Sequence, residues 1–241
     1  MGDTQGSRNQ KPTAPDGLIN TQAGRQYWEG TQADVNGMLG GIPSLKGFGS
    51  LSRIDLQGSR TFLARLGIGT KGGRKPVTNA LEGGAGIGRI TEGLLLHLAE
   101  HVDVVEPIAK FTEALKGKPG VRDIFNVGLE EWRPNDGAEY DLIWTQWCLG
   151  HLTDEQMVEY LKLCKTVLKP GSGVIVIKEN LSTTDVDVFD DEDSSVTRQD
   201  ATFRHIFEEA GLKLVRTDLQ RGFPEMPPVT LLPVRMYALK P

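Results

Sequence analysis

Residues 77–106 read VTNALEGGAGIGRITEGLLLHLAEHVDVVE. The apolar stretch Val77–Leu81 predicts a strand, and the glycines of EGGAGIGR predict a tight turn. Ile90–Glu100 then reads as a helix, and His101–Val105 as a second strand ending in Glu106. A strand, a glycine turn, a helix and a second strand make one parallel α/β unit.

The same rhythm continues downstream. Residues 107–116 read as a helix, Val121–Val127 as a third strand and Tyr140–Trp144 as a fourth. Asp154–Leu168 is an amphipathic helix closed by Lys169-Pro170-Gly171, and Val174–Lys178 is a fifth strand. Residues 182–195 form an acidic loop, followed by a helix at about 197–210 that Gly211 ends. Leu212–Asp218 and Val234–Leu239 are late strands around a Pro-rich loop. Alternating strands and helices predict an α/β fold, a mostly parallel sheet with helices on both faces. The last two strands lack a helix between them and predict an antiparallel edge hairpin. Upstream, residues 1–20 are polar and read as a disordered tail. Residues 21–41 are weakly helical, 42–53 a Gly/Ser loop, and a helix follows from near Asp55. Residues 67–76 read as a surface loop, so 21–241 are expected to form one domain.

Composition narrows the function classes. The 241 residues are 38% hydrophobic and 24% charged, ordinary for a globular protein. A net charge of -5 argues against a nucleic-acid binder and favours basic ligands. No apolar run approaches the ~20 residues that span a bilayer, so no membrane partner is expected. Cys148 and Cys164 lack metal-ligand spacing and read as reduced thiols of a cytoplasmic or nuclear protein, with no metal. Gly6 stands where a myristoylation motif needs Ser or Thr. A monomer is expected.

Ligands of open α/β sheets bind at the carboxyl ends of the strands, where Gly84-Ala85-Gly86-Ile87-Gly88 lies. The dinucleotide fingerprint is G-x-G-x-x-G. Here the spacing is G-x-G-x-G, and Arg89 fills the place of the third glycine, where its bulk obstructs a pyrophosphate. That disfavours a nicotinamide-dependent oxidoreductase. Glu82–Gly88 instead resembles motif I of the Rossmann-like methyltransferases that use S-adenosylmethionine (SAM, or AdoMet). Glu106, one strand later, is placed to accept both ribose hydroxyls. Trp147, just past the fourth strand, reads either as a face for the cationic sulfonium or as plain core.

A more specific resemblance rests on GMLGG (37–41), LEGGAGIGRIT (81–91), WTQWCLGHLTD (144–154), VIVIKEN (174–180) and DDEDSSVTR (190–198). Together these are similar to the protein N-terminal Xaa-Pro-Lys α-amino methyltransferases, from about Gly24 to Leu239. The resemblance implies a seven-stranded Rossmann-like fold with an N-terminal helical cap, here residues 21–66, on a core of 77–241. It implies SAM as cofactor, and transfer to the free α-amine of proteins beginning Xaa-Pro-Lys after Met removal, ribosomal proteins among them. By resemblance, SAM contacts fall on Gly84, Arg89, Glu106, Leu129, Gln146 and Trp28. Peptide contacts fall on Leu39, Trp147, Asn180, Asp190, Asp193 and Ser195. The bases fall on Asp193 and His151. Glu106 and Glu130 replace an Asp and a Gln of animal members, and loop 42–53 is longer.

The chemistry is consistent with those residue types. An α-amine has a pKa near 8, so neutralising it at pH 7 costs about 1 kcal/mol, against about 4.6 kcal/mol for lysine. A modest base with good orientation suffices, such as Asp193 or His151, with Asn180 to bind the amine. His151 alone could equally be a structural histidine, and Leu39 ordinary packing rather than a slot for Pro. The acidic run 185–193 reads both as a solvated face and as an attractor for a cationic peptide; Asp190 and Asp193 are expected to point inward. The residues leave open a methyltransferase for another amine, or a non-catalytic partner that binds SAM.

Overall fold

The computed structural model describes residues 14–241. The sheet is built from β1 (Val77–Gly83), β2 (Ala99–Val105), β3 (Val121–Phe125), β4 (Leu142–Gln146), β5 (Val174–Asn180), β8 (Lys213–Leu219) and β9 (Val234–Lys240). Its order is β3-β2-β1-β4-β5-β9-β8. The first five strands are parallel, and β9 runs antiparallel to both β5 and β8. The fold is the expected Rossmann-like α/β sheet with an antiparallel edge. The penultimate strand, β8, takes the outer position, and β9 inserts beside β5. The order reverses between β1 and β4, so a crevice opens at their carboxyl ends.

The strands alternate their side chains between two cores. Leu81, Val105, Ile143, Ile177 and Tyr237 face α5 (Asp154–Thr166) and α6 (Asp200–Glu209). Ala80, Val104, Trp144, Val176 and Ala238 face Phe62 and Leu63 of α3 (Leu51–Arg65). A central strand sandwiched this way reads as a continuous apolar run, as VIVI of β5 does. Thr153 starts α5 through a capping box with Gln156. The helix α3, counted with the cap by resemblance, is also one layer of the core.

Several local expectations are corrected. Residues 14–20, expected in a disordered tail, include a 3-10 turn at Pro15–Leu18, and Asp16 accepts the Asp154 N–H; residues 1–13 lie outside the described residues. Residues 21–41 split into α1 (Thr21–Gly30) and α2 (Val35–Met38), each capped by a side chain, from Asn20 and Asp34. The 42–53 loop holds a 3-10 turn at Ile42–Ser44 and the start of α3. The helix expected over 90–100 is cut to α4 (Arg89–Gly93) and a 3-10 turn, because β2 begins at Ala99. Residues 107–116 form two 3-10 turns, with the Thr112 hydroxyl bonded back to the Ala109 carbonyl where they meet. The acidic loop is a hairpin of β6 (Val188–Asp190) and β7 (Ser195–Thr197).

Candidate active site

A cleft of about 1050 Å³, open mouth included, lies at the carboxyl ends of β1 and β4 under α1. Gly84, Arg89, Glu106, Leu129, Gln146 and Trp28 all line it, and so do Trp147 and His151. Gly84 has φ +69°, and a Cβ there would sit 2.5 Å from Cys148. Glu106 is buried at the end of β2. Its Oε2 accepts from Gly86 N at 2.7 Å and its Oε1 from Ile108 N at 2.9 Å. Burial pushes its pKa up against those two bonds. Each carboxylate oxygen keeps a further lone pair for a hydroxyl. Size, glycine cradle and buried acceptor together fit a nucleoside ligand.

Arg89 is gripped on two sides. Its Nη1 bonds Asp55 of α3 at 2.7 Å, and its guanidinium lies 5.3 Å from the Trp147 ring centre. The fully buried Lys178 of β5 also reaches Asp55, at 2.5 Å. Gln146 donates to both Asp55 oxygens at 3.1 Å and accepts from Trp144 Nε1 at 3.2 Å. Its side-chain amide is thus engaged at both ends within the protein. Glu82, the motif acid, is buried against the Thr91 hydroxyl, and burial pushes it to about 8.

Trp147 is not core. It is half-buried at the cavity wall, in a left-handed conformation of φ 54° that costs a non-glycine residue about 1–2 kcal/mol. The buried Glu179 holds this turn by accepting from Cys148 N at 2.9 Å and Leu149 N at 3.0 Å. Among the described residues the Trp147 Nε1 has no partner, although it is buried, so one donor at the wall is unused by them.

His151 is bound through its ring. The Trp28 Nε1–H donates to His151 Nε2 at 2.9 Å, so this lone pair is taken and a neutral imidazole carries its hydrogen on Nδ1. Burial lowers its pKa, against the pull of Asp193, whose Oδ2 is 4.0 Å away. Among the described residues, Asp193 Oδ1 is buried with no partner. The two residues pack so closely under α1 that a Cβ on Gly24 would meet the Asp193 carbonyl at 3.1 Å and His151 Nδ1 at 3.3 Å. Asp193 sits in the hairpin tip, where Ser194, at φ 57°, anchors residue 20 through a 2.8 Å bond from Asn20 N.

Of the peptide positions only Trp147 lines the cleft; Asp193 stands behind its neighbour Ser194, and the others do not line it. Asn180 is half-buried at the end of β5, and Ser195 begins β7. Leu39 is buried where α2 ends. Asp190 corrects an expectation. It is exposed, and its Oδ1 accepts the Glu192 N–H, shaping the hairpin tip rather than pointing inward. Asp187 likewise serves structure, accepting Gln199 N at 2.8 Å before α6.

The family described as AdoMet-dependent proline di-methyltransferase matches residues 16–240. The chain belongs to that family. It is 45% identical to the alpha N-terminal protein methyltransferase 1 of Schizosaccharomyces pombe, over 89% of this chain and 93% of the relative. It is 43% identical to the N-terminal Xaa-Pro-Lys N-methyltransferase 1 of Xenopus tropicalis, over 83% and 88%. A solved SAM-dependent methyltransferase from Leishmania major superposes with a TM-score of 0.77 at 34% identity, covering 91% of this chain and 82% of that one. As a member of this family the chain is an AdoMet-dependent methyltransferase.

Sequence reasoning about site residues missed Asp55, Lys178 and Glu179. Each carried one available signal, a charged side chain inside an otherwise apolar helix face or buried strand. It also placed Glu130 only as a departure. In the AdoMet-dependent enzyme Glu130 latches α1 to the cleft, accepting from Arg25 at 2.7 Å.

Proposed function

We propose that this enzyme methylates the free α-amine of proteins beginning Xaa-Pro-Lys, ribosomal proteins among them, after the initiator Met is removed. The names of its relatives support the substrate class. The observation that carries the residue assignment is the buried Oδ1 of Asp193, without a partner among the described residues, beside a His151 whose Nε2 is already bonded. Of the two groups, only Asp193 has an uncommitted acceptor.

AdoMet, when bound, supplies an electrophilic methyl group that leaves sulfur as the amine lone pair attacks. Gly84, Glu106 and Leu129 form its cradle, with Arg89 and Gln146 at the floor. Asp193 attracts the ammonium and takes its proton, leaving the amine neutral; His151, held by Trp28, keeps Asp193 company as a neutral ring. Asn180 orients the amine. The resemblance assigns the Pro, which has no N–H to satisfy, to Leu39 and Trp147, of which Trp147 lines the cleft. The acids at the hairpin tip, Asp190 among them, provide long-range attraction for the Lys, and Ser195 a polar contact. The enzyme acts as a monomer on protein rather than nucleic acid. Two free thiols, both pushed up by burial, suit a cytoplasmic and nuclear location.

The test is mass spectrometry of a Ser-Pro-Lys-Arg peptide with AdoMet, beside the same peptide acetylated at its α-amine. Methylation confined to the free amine is expected. Equal methylation of the blocked peptide would refute the assignment. Asp193→Asn should lower kcat by about 100-fold or more, the range of a lost general base, while binding of the product S-adenosylhomocysteine stays within about twofold.

A further inference from the structure

We propose that Asp55, in α3, is a positioning residue that aims Arg89 and Gln146 at the cofactor. Asp55 is fully buried and does not line the cleft, whereas both its partners do. Its carboxylate gathers side chains from separate elements: Arg89 from the start of α4, Gln146 from the end of β4 and Lys178 from β5. A bulky guanidinium has many rotamers, and a ligand must meet it in one. Here Nη1 is fixed by Asp55 and the guanidinium carbon lies 5.3 Å from the Trp147 ring centre, so little of that freedom remains.

Asp55 also decides which cation the cleft meets, because it pairs with both Arg89 and Lys178. The Lys178 ammonium spends its hydrogens inside the protein, on Asp55, on Ser59 Oγ at 3.0 Å and on Gln220 Oε1 at 2.8 Å. Arg89 is therefore the cation of the set that the cleft exposes. A cation held there suits a ligand carboxylate, and AdoMet carries one on its amino-acid end, beside its ammonium.

A buried ion pair is by itself a weak sign of stability, and replacing it with apolar groups is often neutral. That property separates positioning from scaffolding. This inference rests on the cleft being the AdoMet site, and its readout needs no peptide, so it stands or falls apart from the substrate assignment. Calorimetric titration with S-adenosylhomocysteine, together with thermal melting, should be run on Asp55→Asn, Lys178→Met and the double variant Asp55→Leu/Lys178→Met. Asp55→Asn should weaken binding by about tenfold or more, the loss of a charge-assisted bond. Lys178→Met, which leaves the Asp55–Arg89 pair, should stay within about threefold at a temperature well below its melting point. The double variant should keep the tenfold loss whatever its melting temperature, because Arg89 still lacks its carboxylate. Wild-type affinity in either Asp55 variant would overturn the proposal. So would recovery of affinity together with melting temperature in the double variant, because Asp55 would then be scaffold alone. If the double variant fails to fold, Asp55→Asn decides by itself.

Discussion

Replacing Trp28 with Phe removes the indole N–H that His151 Nε2 accepts at 2.9 Å and keeps an aromatic ring over the cleft. A hydrogen bond of this kind is worth about 0.5–1.5 kcal/mol net, a factor of about 2 to 13. Were Nε2 the proton acceptor, each turnover in the wild type would first have to break that bond, and Trp28→Phe would run faster by about that factor. With Asp193 as acceptor the sign reverses. Without the indole N–H, Nε2 can take a proton, and the imidazolium pairs with the Asp193 carboxylate, whose Oδ2 is 4.0 Å away, which lowers the basicity that the amine's proton needs. The rate should then fall by about 2- to 10-fold at neutral pH and by more as the pH falls and the ring takes up its proton. Initial rates on a Ser-Pro-Lys-Arg peptide across that range, with S-adenosylhomocysteine affinity measured in parallel, give the answer. A faster variant with unchanged cofactor affinity would refute the assignment of the proton to Asp193.

Two other perturbations probe the cradle and the buried acids. Gly84→Ala places a methyl 2.5 Å from Cys148 at φ +69°, whereas Gly117→Ala has φ +70° and nothing within 4 Å. Both pay the left-handed cost of about 1–2 kcal/mol, so the extra melting-temperature loss in Gly84→Ala measures crowding alone; equal losses would contradict the tight cradle. Glu82 and Glu179 are raised by burial from 4.5 to about 8 and about 7. Their stabilisation is complete below the unfolded value and is lost as pH rises through the folded ones, at up to about 1.4 kcal/mol per pH unit for each group. The melting temperature of the unliganded protein should therefore fall between about pH 5 and 8, and Glu82→Gln/Glu179→Gln should flatten the slope. An unchanged slope would show that other groups set it.

The parallel strands were legible because burial on both faces makes them plain apolar runs, and the switch-point crevice follows from their order. The ordered residues 14–20 were illegible because they are held by single bonds to distant partners, Asp16 to Asp154 and Asn20 to Ser194. Residues 107–116 have helical composition, but Pro107 and the back-bonded Thr112 leave only 3-10 turns. The strands β6 and β7 are too short to alternate visibly, so the acids between them masked a hairpin. Resemblance identified Arg89 and Gln146 without saying what holds them. Asp55 and Lys178 lie far apart in the chain, and a contact of that range has no local pattern. Lys178 was nonetheless marked, as the one cation inside the all-buried run Val174–Glu179.

The insertion of β9 between β5 and β8 bears on how the chain folds as it is made. The parallel half of the sheet is complete once β5 has emerged, but the open edge of β5 must wait for residues 234–240. The strand β8 emerges earlier and has no neighbour in the sheet until β9 arrives. At roughly 5–20 residues per second of synthesis, that edge stays open on the ribosome for seconds. An unpaired, apolar edge such as VIVI is a template for aggregation during that interval, which makes it a natural point of chaperone contact.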